Sequence, residues 1–401
     1  MTENTTRVPS ARVPLAGTPS LLRAINDRAA LQLLLEHGPL TRTRIGTLTG
    51  LSKPTASQLL ARLEAAGLVV PVGTTEGGPG PNAQLYRINP AAAYAAGLDV
   101  TPHRIRVAVA DLAGVTVAEH EVPTPGRSAG DTAGRVTEAV TSTLRLAGLP
   151  DGSLREVVIG TPGALDPATG KLRYASHLTG WHSPRLTDEL SAALDAPVSI
   201  ENDVNLAAVA EQALGAARGC EDFVLLWAEE GIGAAIMIAG RLHRGFTGGA
   251  GEVGYMPVPG APVVRDVRRQ NSGGFQELAG ARAVLALARE HGLAAPTAEA
   301  AVTLALRTPG AGEEFLAVLA DRLALGLAVI VAVVDPELVV LSGGTQSAGG
   351  ERLRVLVQDR LAGLAVAGPQ VRCSAVQGLP VLHGALQRAL AAAREVVFTT
   401  A

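Results

Sequence analysis

The sequence predicts an α/β protein in which a small helical module precedes a larger domain built of two related lobes. Apolar residues recur at helical spacing in the first part of the chain, as far as about residue 65. From about residue 94 onward, strand-like apolar runs alternate with helical ones, which is typical of α/β folds. This alternation occurs twice, each time with a strand pair first and crossover helices after it, so we expect two lobes with a cleft between them.

The composition favours a soluble, cytoplasmic protein. Of 401 residues, 47% are hydrophobic and 18% are charged, and the length predicts two or three compact units. The two cysteines, Cys220 and Cys373, have no CxxC spacing, which argues against a disulfide scaffold or a thiolate zinc site. The polar N-terminus predicts neither a signal peptide nor a membrane span. The apolar run "EEFLAVLADRLALGLAVIVAVVD" contains charges and ends at Asp335-Pro336, so we expect a core helix there.

The sequence predicts that residues 19–90 form a winged helix-turn-helix. A flexible tail at 1–18 is predicted before it, and the larger domain is predicted to span 91–401. A first helix is predicted up to Gly38-Pro39, and two further helical runs meet at Gly50. Ser52 is placed to cap the second of these, with Pro54 tolerated in its first turn. Two β-like segments, "GLVVPVG" and "AQLYRINP", flank a Gly/Pro-rich stretch and predict a wing whose tip carries no arginine. The stripe predicted to bury the first helix is Leu21, Leu22, Ile25, Ala29, Leu33 and Leu34.

A helix-turn-helix reads DNA with the N-terminal part of its second helix in the major groove. Residues 1–90 hold nine Lys/Arg against five Asp/Glu, which favours contact with phosphates. The predicted DNA-binding residues are Arg42, Arg44, Ser52, Lys53, Thr55, Ser57, Gln58 and Arg62. Lys and Gln reach base edges, whereas Ser, Thr and Arg fix phosphates. The alternative is a three-helix interaction module whose polar face is merely solvated.

Four segments of the larger domain carry recognisable motifs. In chain order they are "GTPGALDPATGKL", "ENDVNLAAVAE", "GRLHRGFTGGAGEVGYMPV" and "VVLSGG". Together they resemble the ROK family of repressors and sugar kinases. The resemblance implies a two-lobed, actin-like domain of the ATPase type, the fold that sugar kinases share and that is also called ribonuclease H-like. The resemblance covers nearly the whole chain, with the winged helix-turn-helix in front.

The resemblance implies a sugar site. In the kinases of the family an aspartate at the position of Asp203 accepts the proton of a sugar hydroxyl during phosphoryl transfer. The implied effector-binding residues are Gly163, Asn202, Asp203, Glu252, Tyr255 and Glu277. From the residues alone, Asp203 is equally a helix N-cap, Asn202 a turn residue and Glu252 a turn carboxylate.

The chain departs from the kinases on the nucleotide side. Where they follow the first strand with Gly-Gly-Thr, this chain has Val100-Thr101-Pro102-His103, and Pro102 has no N–H to offer a phosphate. A second phosphate loop is replaced by Glu229-Glu230-Gly231, whose carboxylates repel a triphosphate. The family's zinc site is also missing its ligands, because Tyr255 replaces its histidine and the following loop has no cysteine. We therefore expect no metal, no cofactor and no catalysis, with Asp203 as a vestige.

The sequence thus predicts a transcriptional regulator, and more specifically a repressor, that binds a palindromic operator as a homodimer or a dimer of dimers. Its degenerate kinase-like domain is expected to sense a sugar, a sugar derivative or another small molecule. Two alternatives stay open at this point. One is an active ATP-dependent sugar kinase with an appended DNA-binding module, and the other is a repressor that needs no effector.

Overall fold

The structure is a computed structural model with two compact units. It describes residues 19–75, 82–124, 132–166, 169–170, 172–173, 181, 183–266, 273–376 and 378–399, with backbone only at 19 and 20. The first unit comprises the described residues up to Ala93 together with those from Ala393 onward, and the second runs from Tyr94 to Ala392. The predicted tail at 1–18 lies outside the described residues. The functional domain limits at 90 and 91 stay predictions.

The first unit is a three-helix module with a small antiparallel sheet. Its elements are α1 (Pro19–His37), β1 (Leu40–Thr41), α2 (Arg42–Thr49), α3 (Lys53–Ala65), β2 (Val69–Thr74), β3 (Gln84–Ile88) and a 3-10 turn (Pro90–Ala92). The strand order is β1-β3-β2, with β2 and β3 antiparallel as a wing requires. The wing tip, residues 76–81, lies outside the described residues. The helix-turn-helix and wing predicted from the sequence are confirmed.

Local chemistry fixes the turn between α2 and α3. Gly50 ends α2 with φ +71°, a left-handed conformation that glycine adopts without steric cost. Ser52 caps α3 as predicted, and Pro54 lies in its first turn. Ile45, Leu59 and Leu63 are fully or almost fully buried between the helices. The two helices therefore share one apolar core.

The stripe predicted for α1 is wrong in part. Leu21, Leu22 and Ile25 are more than half exposed, whereas the buried positions of the helix include Asp27, Ala30, Leu31 and Leu34. The buried face of α1 is rotated from the predicted one because Asp27 lies on it, paired with Arg62 of α3. A charged residue therefore takes the place of an apolar one where α1 packs.

The second unit contains two lobes. The elements of the first lobe are β4 (Tyr94–Val100), β5 (Arg104–Asp111), β6 (Thr116–Pro123), α4 (Thr132–Leu146), β7 (Leu154–Thr161), β8 (Ala164–Leu165), β9 (Leu172–Arg173), α5 (Leu186–Leu194) and β10 (Val198–Asn202). The second lobe contains α6 (Asp203–Leu214), β11 (Phe223–Ala228), β12 (Ile232–Ile238), β13 (Arg241–Leu242), a 3-10 turn (Val253–Tyr255), α7 (Gln276–Ala279), α8 (Ala281–Glu290), α9 (Ala298–Ala305), α10 (Ala311–Val334), β14 (Leu338–Ser342), α11 (Gly344–Leu364, broken at Gly350) and β15 (Gln370–Cys373). The last helix is α12 (Pro380–Thr399).

The two sheets have the same topology. The first has the order β10-β7-β4-β5-β6 and the second β15-β14-β11-β12-β13, so each has an antiparallel three-strand meander extended by two parallel strands. The repeated lobe predicted from the sequence is confirmed. Because carboxyl ends of parallel strands collect ligand-binding loops, the ends of β10 and β11 are where a site is expected.

Helix α10 is the long apolar helix of the second lobe. Among the described residues it is the one helix that is long and apolar enough to cross a membrane by length and composition alone. Its Phe315, Leu319 and Leu323 are completely buried among the side chains of the second lobe. The helix is therefore a core element, as the sequence predicts.

Helix α12 packs closely against the first lobe and α6 because of two glycines. A Cβ at Gly97 of β4 would lie 2.3 Å from the backbone nitrogen of Leu386, and one at Gly384 would lie 1.8 Å from the carbonyl oxygen of Leu206. Both contacts are with backbone atoms, which cannot move aside. Glycine is thus required at both positions for α12 to pack where it does.

Candidate functional site

The predicted DNA-reading residues gather on α2 and the first turns of α3. The exposed ones are Arg42, Arg44, Ser52, Lys53, Thr55 and Gln58, while Ser57 and Arg62 are partly buried. Within the described residues, the side chains of Lys53 and Gln58 form no hydrogen bond, so both can reach outward. The start of α3 therefore presents the donors and acceptors that base recognition needs.

The hydroxyl groups on this surface already serve the helix. Ser52 Oγ accepts a hydrogen bond from Thr55 N (3.4 Å) and lies 2.8 Å from Thr55 Oγ1, and Ser57 Oγ donates to Lys53 O (2.9 Å). Their first role is to cap and stabilise α3, and their contact with DNA stays a prediction.

Arg62 has a partner that the sequence pattern did not predict. One of its terminal nitrogens lies 2.6 Å from Asp27 Oδ1, and the Asp27 side chain is only 4% exposed. A buried carboxylate without a counter-charge is costly, so Arg62 first neutralises Asp27 and joins α3 to α1. Its predicted phosphate contact competes with that ion pair.

Among the residues predicted to face a sugar, Asn202 connects two loops. Its Nδ2 donates to Gly163 O (3.0 Å), and its Oδ1 accepts from Asn205 N (3.1 Å). Asn202 is thus the N-cap of α6, and the alternative that Asp203 is the cap is wrong. Gly163, with φ +91°, allows the loop after β7 to approach this helix end.

Asp203 and Glu252 form an electrostatic pair. Burial, assisted by the carboxylates of Asp99 and Glu229, raises the pKa of Asp203 to about 6, although Val204 N donates to its Oδ1 (2.8 Å). Burial and the nearby Asp203 raise the pKa of Glu252 to about 7. Two residues 49 positions apart in sequence therefore lie close enough to repel each other.

The glycine-rich stretch is fixed to β12 just before Glu252. Gly251 has φ +95°, its carbonyl accepts from Ala234 N (2.9 Å), and a Cβ there would lie 1.9 Å from Ala234 O. No other residue fits this position. The backbone thereby fixes the position of Glu252 beside β12.

Tyr255 and Glu277 lie on two segments that pack against each other. Tyr255 ends the 3-10 turn, Glu277 lies in α7, and Phe275 N donates to Met256 O (2.9 Å) between them. Their contact with an effector stays a prediction. Among the described residues no cluster of three or more His, Cys, Asp or Glu is placed to hold a metal ion, and residues 267–272 of the predicted metal-loop region lie outside that set.

Gln276 is a positioning residue that sequence reasoning missed. Its Oε1 accepts from Ile232 N (2.8 Å) and its Nε2 donates to Glu230 O (3.2 Å). It therefore ties α7 to the turn between β11 and β12. In the sequence, the only indication that Gln276 matters is that it directly precedes Glu277. A glutamine by itself does not predict which backbone groups it will bind.

The β4–β5 turn stands where the kinases of the family have their first phosphate loop, and its described amides are occupied by hydrogen bonds within the turn. Thr101 Oγ1 accepts from His103 N (3.3 Å) and from Arg104 N (3.2 Å), and Thr101 N donates to Arg104 O (2.9 Å). Pro102 has no N–H. The β4–β5 turn therefore satisfies its own backbone donors, and none is left to cradle an anion.

Carboxylates lie at the place where the family resemblance implies a second phosphate loop. Burial, reinforced by Glu299 and Glu230, raises the pKa of Glu229, and the hydrogen bond to Trp227 and the charge of Arg104 oppose this rise. The Glu299 carboxylate lies over Gly344, because a Cβ at Gly344 would be 2.7 Å from Glu299 Oε1. The second glycine of the pair after β14 is thus covered by a negative side chain of the same chain.

The geometry defines a class of protein, namely a two-lobed sugar-kinase-like domain joined to a winged helix-turn-helix. The model of the ROK family matches residues 95–377, and that of the MarR family matches residues 26–78. The chain therefore belongs to the ROK family, with a MarR-type winged helix at its N-terminus.

Several proteins resemble this chain. The "Xylose repressor" of Bacillus subtilis is 25% identical over 239 residues, which is 60% of this chain and 62% of that protein. The ROK hexokinase of Thermus thermophilus is 28% identical, with a TM-score of 0.63 over 74% of this chain and 97% of its own. The crystal structure of a ROK family transcriptional regulator, described as a homolog of the E. coli MLC protein, has a TM-score of 0.74 over 95% of this chain and 100% of its own. At 17% identity the last comparison shows the fold alone.

Proposed function

We propose that this protein is a DNA-binding transcriptional repressor of the bacterial type represented by its xylose repressor relative. The observation that carries the proposal is the exposed start of α3, where Lys53 and Gln58 project from a helix-turn-helix of MarR type. Interaction modules without DNA binding do not need a basic, hydrogen-bonding helix end of this kind. The proposed place of action is the cytoplasm.

The protein binds its operator as a homodimer or a dimer of dimers. One recognition helix offers few base contacts, whereas two span the half-sites of a palindrome separated by whole turns of DNA. The operator is accordingly palindromic, and DNA affinity depends steeply on salt because Arg42, Arg44 and Lys53 displace counterions.

The kinase-like domain senses a sugar or sugar derivative and does not phosphorylate it. The Asn202, Asp203 and Glu252 side of the cleft offers carboxylate and amide groups suited to sugar hydroxyls. The opposite side has its amides satisfied internally and carries Glu229 and Glu299 in place of phosphate-binding groups. A bound sugar alters operator affinity only if it binds one conformation more tightly than the other.

Mobility-shift titration tests the DNA function. The probe is a duplex selected by the protein from a random-sequence library, and the variants are Lys53→Ala and Gln58→Ala. Each variant should weaken specific binding by about 10-fold or more, since a good side-chain–base pair contributes about 1–3 kcal/mol. Ala65→Ser, at an exposed position at the far end of α3, is the matched control. Selection of no sequence, or equal loss in the control, would refute DNA reading by this helix.

The same titration with D-xylose, D-glucose and N-acetyl-D-glucosamine tests the effector. A sugar sensor changes its operator affinity with at least one sugar or sugar phosphate. Unchanged affinity throughout, with no thermal-shift response to a metabolite library, would favour the effector-independent repressor.

The rival function is an active sugar kinase with an appended DNA module, which the likeness to a hexokinase favours. Coupled ATP turnover on a hexose panel discriminates between the two. Phosphorylation that disappears in Asp203→Asn would establish the kinase and overturn the proposal.

A further inference from the structure

Glu201 is a buried carboxylate directly before the sugar-side pair. Its side chain is 8% exposed, and its Oε1 accepts from Asn202 N (3.2 Å) and from Asn205 Nδ2 (2.9 Å). One carboxylate oxygen therefore holds the turn that carries Asn202 and Asp203. This side chain lies at the end of β10 and belongs to the first lobe.

The other oxygen of Glu201 reaches into the second lobe. Its Oε2 accepts from Arg244 Nε (2.7 Å), and Arg244 Nη2 also lies at 2.7 Å. Arg244 lies in the first part of the glycine-rich stretch, where a loop closes through Ala250 N donating to Arg244 O (3.1 Å). Glu252 follows two residues after that closure.

A second arginine faces the same carboxylate from the last helix. Arg388 Nη1 lies 3.8 Å from Glu201 Oε2, and burial together with the charge of Arg244 lowers the pKa of Arg388. The guanidinium of Arg388 is also close to Glu156, whose pKa is raised by burial. Three elements, β10, the glycine-rich stretch and α12, therefore converge on one buried carboxylate.

Such a cluster is an inefficient way to gain stability. Removing charged groups from water costs about as much as their attraction returns, so buried ion pairs contribute little net free energy of folding. They do fix geometry, because a planar guanidinium and a carboxylate have few favourable arrangements.

We infer that Glu201 and Arg244 form an inter-lobe clamp that sets the position of Glu252 relative to Asp203. Both are positioning residues, because they hold the loops that carry the sugar-facing groups. The inference rests on the proposed function only for the identity of the ligand that Asp203 and Glu252 bind. Loss of the clamp leaves the segment from Arg244 to Ala250 held to β12 at both ends, where His243 N donates to Ile236 O (2.8 Å) and Ala234 N donates to Gly251 O (2.9 Å), and lets the loop between them move.

The test combines a measurement without sugar and one with sugar, on the full chain. The variants are Arg244→Ala, Arg244→Lys and Glu201→Gln. Glutamine retains an oxygen for Asn202 N and Asn205 Nδ2 but loses the ion pair. Arg241→Ala is the matched control, an exposed arginine three residues earlier on β13.

In sugar-free protein, hydrogen exchange of the hydrogen-bonded amides of Ala250, Glu252 and Val253 should accelerate at least 10-fold in Arg244→Ala and Glu201→Gln. Exchange in β11 should stay within 2-fold of the wild type, which separates local release from global destabilisation. Arg241→Ala should match the wild type throughout, and Arg244→Lys should lie between the extremes. Equal exchange in Arg244→Ala and Arg241→Ala would overturn the clamp.

Calorimetric titration then uses whichever of D-xylose, D-glucose and N-acetyl-D-glucosamine binds the wild type. Affinity should fall about 10-fold in Arg244→Ala and recover in part in Arg244→Lys. Unchanged affinity alongside a lowered melting temperature would assign the pair a purely structural role and overturn the inference. If no sugar binds the wild type, the effector proposal fails and the exchange result alone decides the clamp.

Discussion

The two sides of the cleft differ in what they leave available to a ligand. On the proposed sugar side, Asp203 and Glu252 each make a hydrogen bond with a neighbouring backbone group, and no arginine pairs with either carboxylate among the described contacts. On the side where the kinases bind nucleotide, Thr101 Oγ1 accepts hydrogen bonds from two amides of its own turn, and the Glu299 carboxylate covers Gly344. The difference supports the proposal that this domain binds a single ligand, because one half of the site is filled by side chains of the chain itself.

The glycines of the two sides provide the largest contrast. Gly251→Ala should destabilise the protein by roughly 3–5 kcal/mol, because the new Cβ meets the Ala234 carbonyl and φ is positive. Gly344→Ala should change stability by less than about 1 kcal/mol, because its Cβ meets only the movable Glu299 side chain. Denaturant unfolding measures both, and equal losses would contradict the contrast.

Ligand affinity should depend on one side only. Asp203→Ala should weaken binding of the sugar that the wild type binds by about 100-fold, as expected when a hydrogen bond to a buried charged group is lost. Glu299→Ala should leave that affinity within about 2-fold, since the Glu299 carboxylate lies over Gly344 after β14 and is not among the groups that shift the pKa of Asp203 or Glu252. Titration calorimetry checks the pair. A comparable loss in Glu299→Ala would show that the two sides act as one site.

Nucleotide binding should respond in the opposite sense. Glu229→Gln and Glu299→Gln should each strengthen ATP binding by about 5- to 10-fold, because each removes a carboxylate that repels the phosphates. Turnover should still be absent, since the Thr101–Arg104 turn keeps its amides occupied. Glu290→Gln, an exposed position at the end of α8, serves as the control. ATP affinity that is already high in the wild type would argue against a filled nucleotide side.

The smallest expected effect is on pH dependence. Asp203 and Glu252 have pKa values of about 6 and about 7 in the folded chain, above those of free carboxyl groups. Their protonated forms thus favour folding, and that stabilisation is complete below about pH 4 and lost as pH rises through 6 and 7. Between pH 5 and pH 8 the melting temperature should fall by about 2–5 °C more in the wild type than in Asp203→Asn.

The matched control for this experiment is Asp151→Asn, at an exposed turn position. It should retain the full wild-type fall. A wild type whose melting temperature is flat across this range would show that the pair is solvated.

Much of the fold follows from local pattern. Strand alternation, the Ser52 cap and the Gly50 turn are set by neighbouring residues, so the module and both lobes are predictable. The packing face of α1 is not, because a buried ion pair between Asp27 and Arg62 depends on two helices meeting. A period of 3.6 residues shows that a face exists but cannot indicate that a charged residue lies on it.

The residues of the candidate site that lie in recognisable motifs were predictable. Those that act through contacts between distant parts of the chain were not. Asn202, Asp203 and Glu252 stand in recognisable segments, and the structure brings Asp203 and Glu252 together. Arg244 and Gln276 act on residues more than 40 positions away, at a separation that sequence spacing alone does not reveal.

The winged module is discontinuous along the chain. Its compact unit includes the described residues from Ala393 onward, where Phe398 is 4% exposed and Glu395 pairs with Arg28 of α1 (2.5 Å). A fragment ending at Ala93 would therefore lack part of its own interior and should be less stable than the same module in the whole chain. The larger domain is, in topological terms, an insertion into the smaller one, so neither can be exchanged between relatives by a single crossover of their genes.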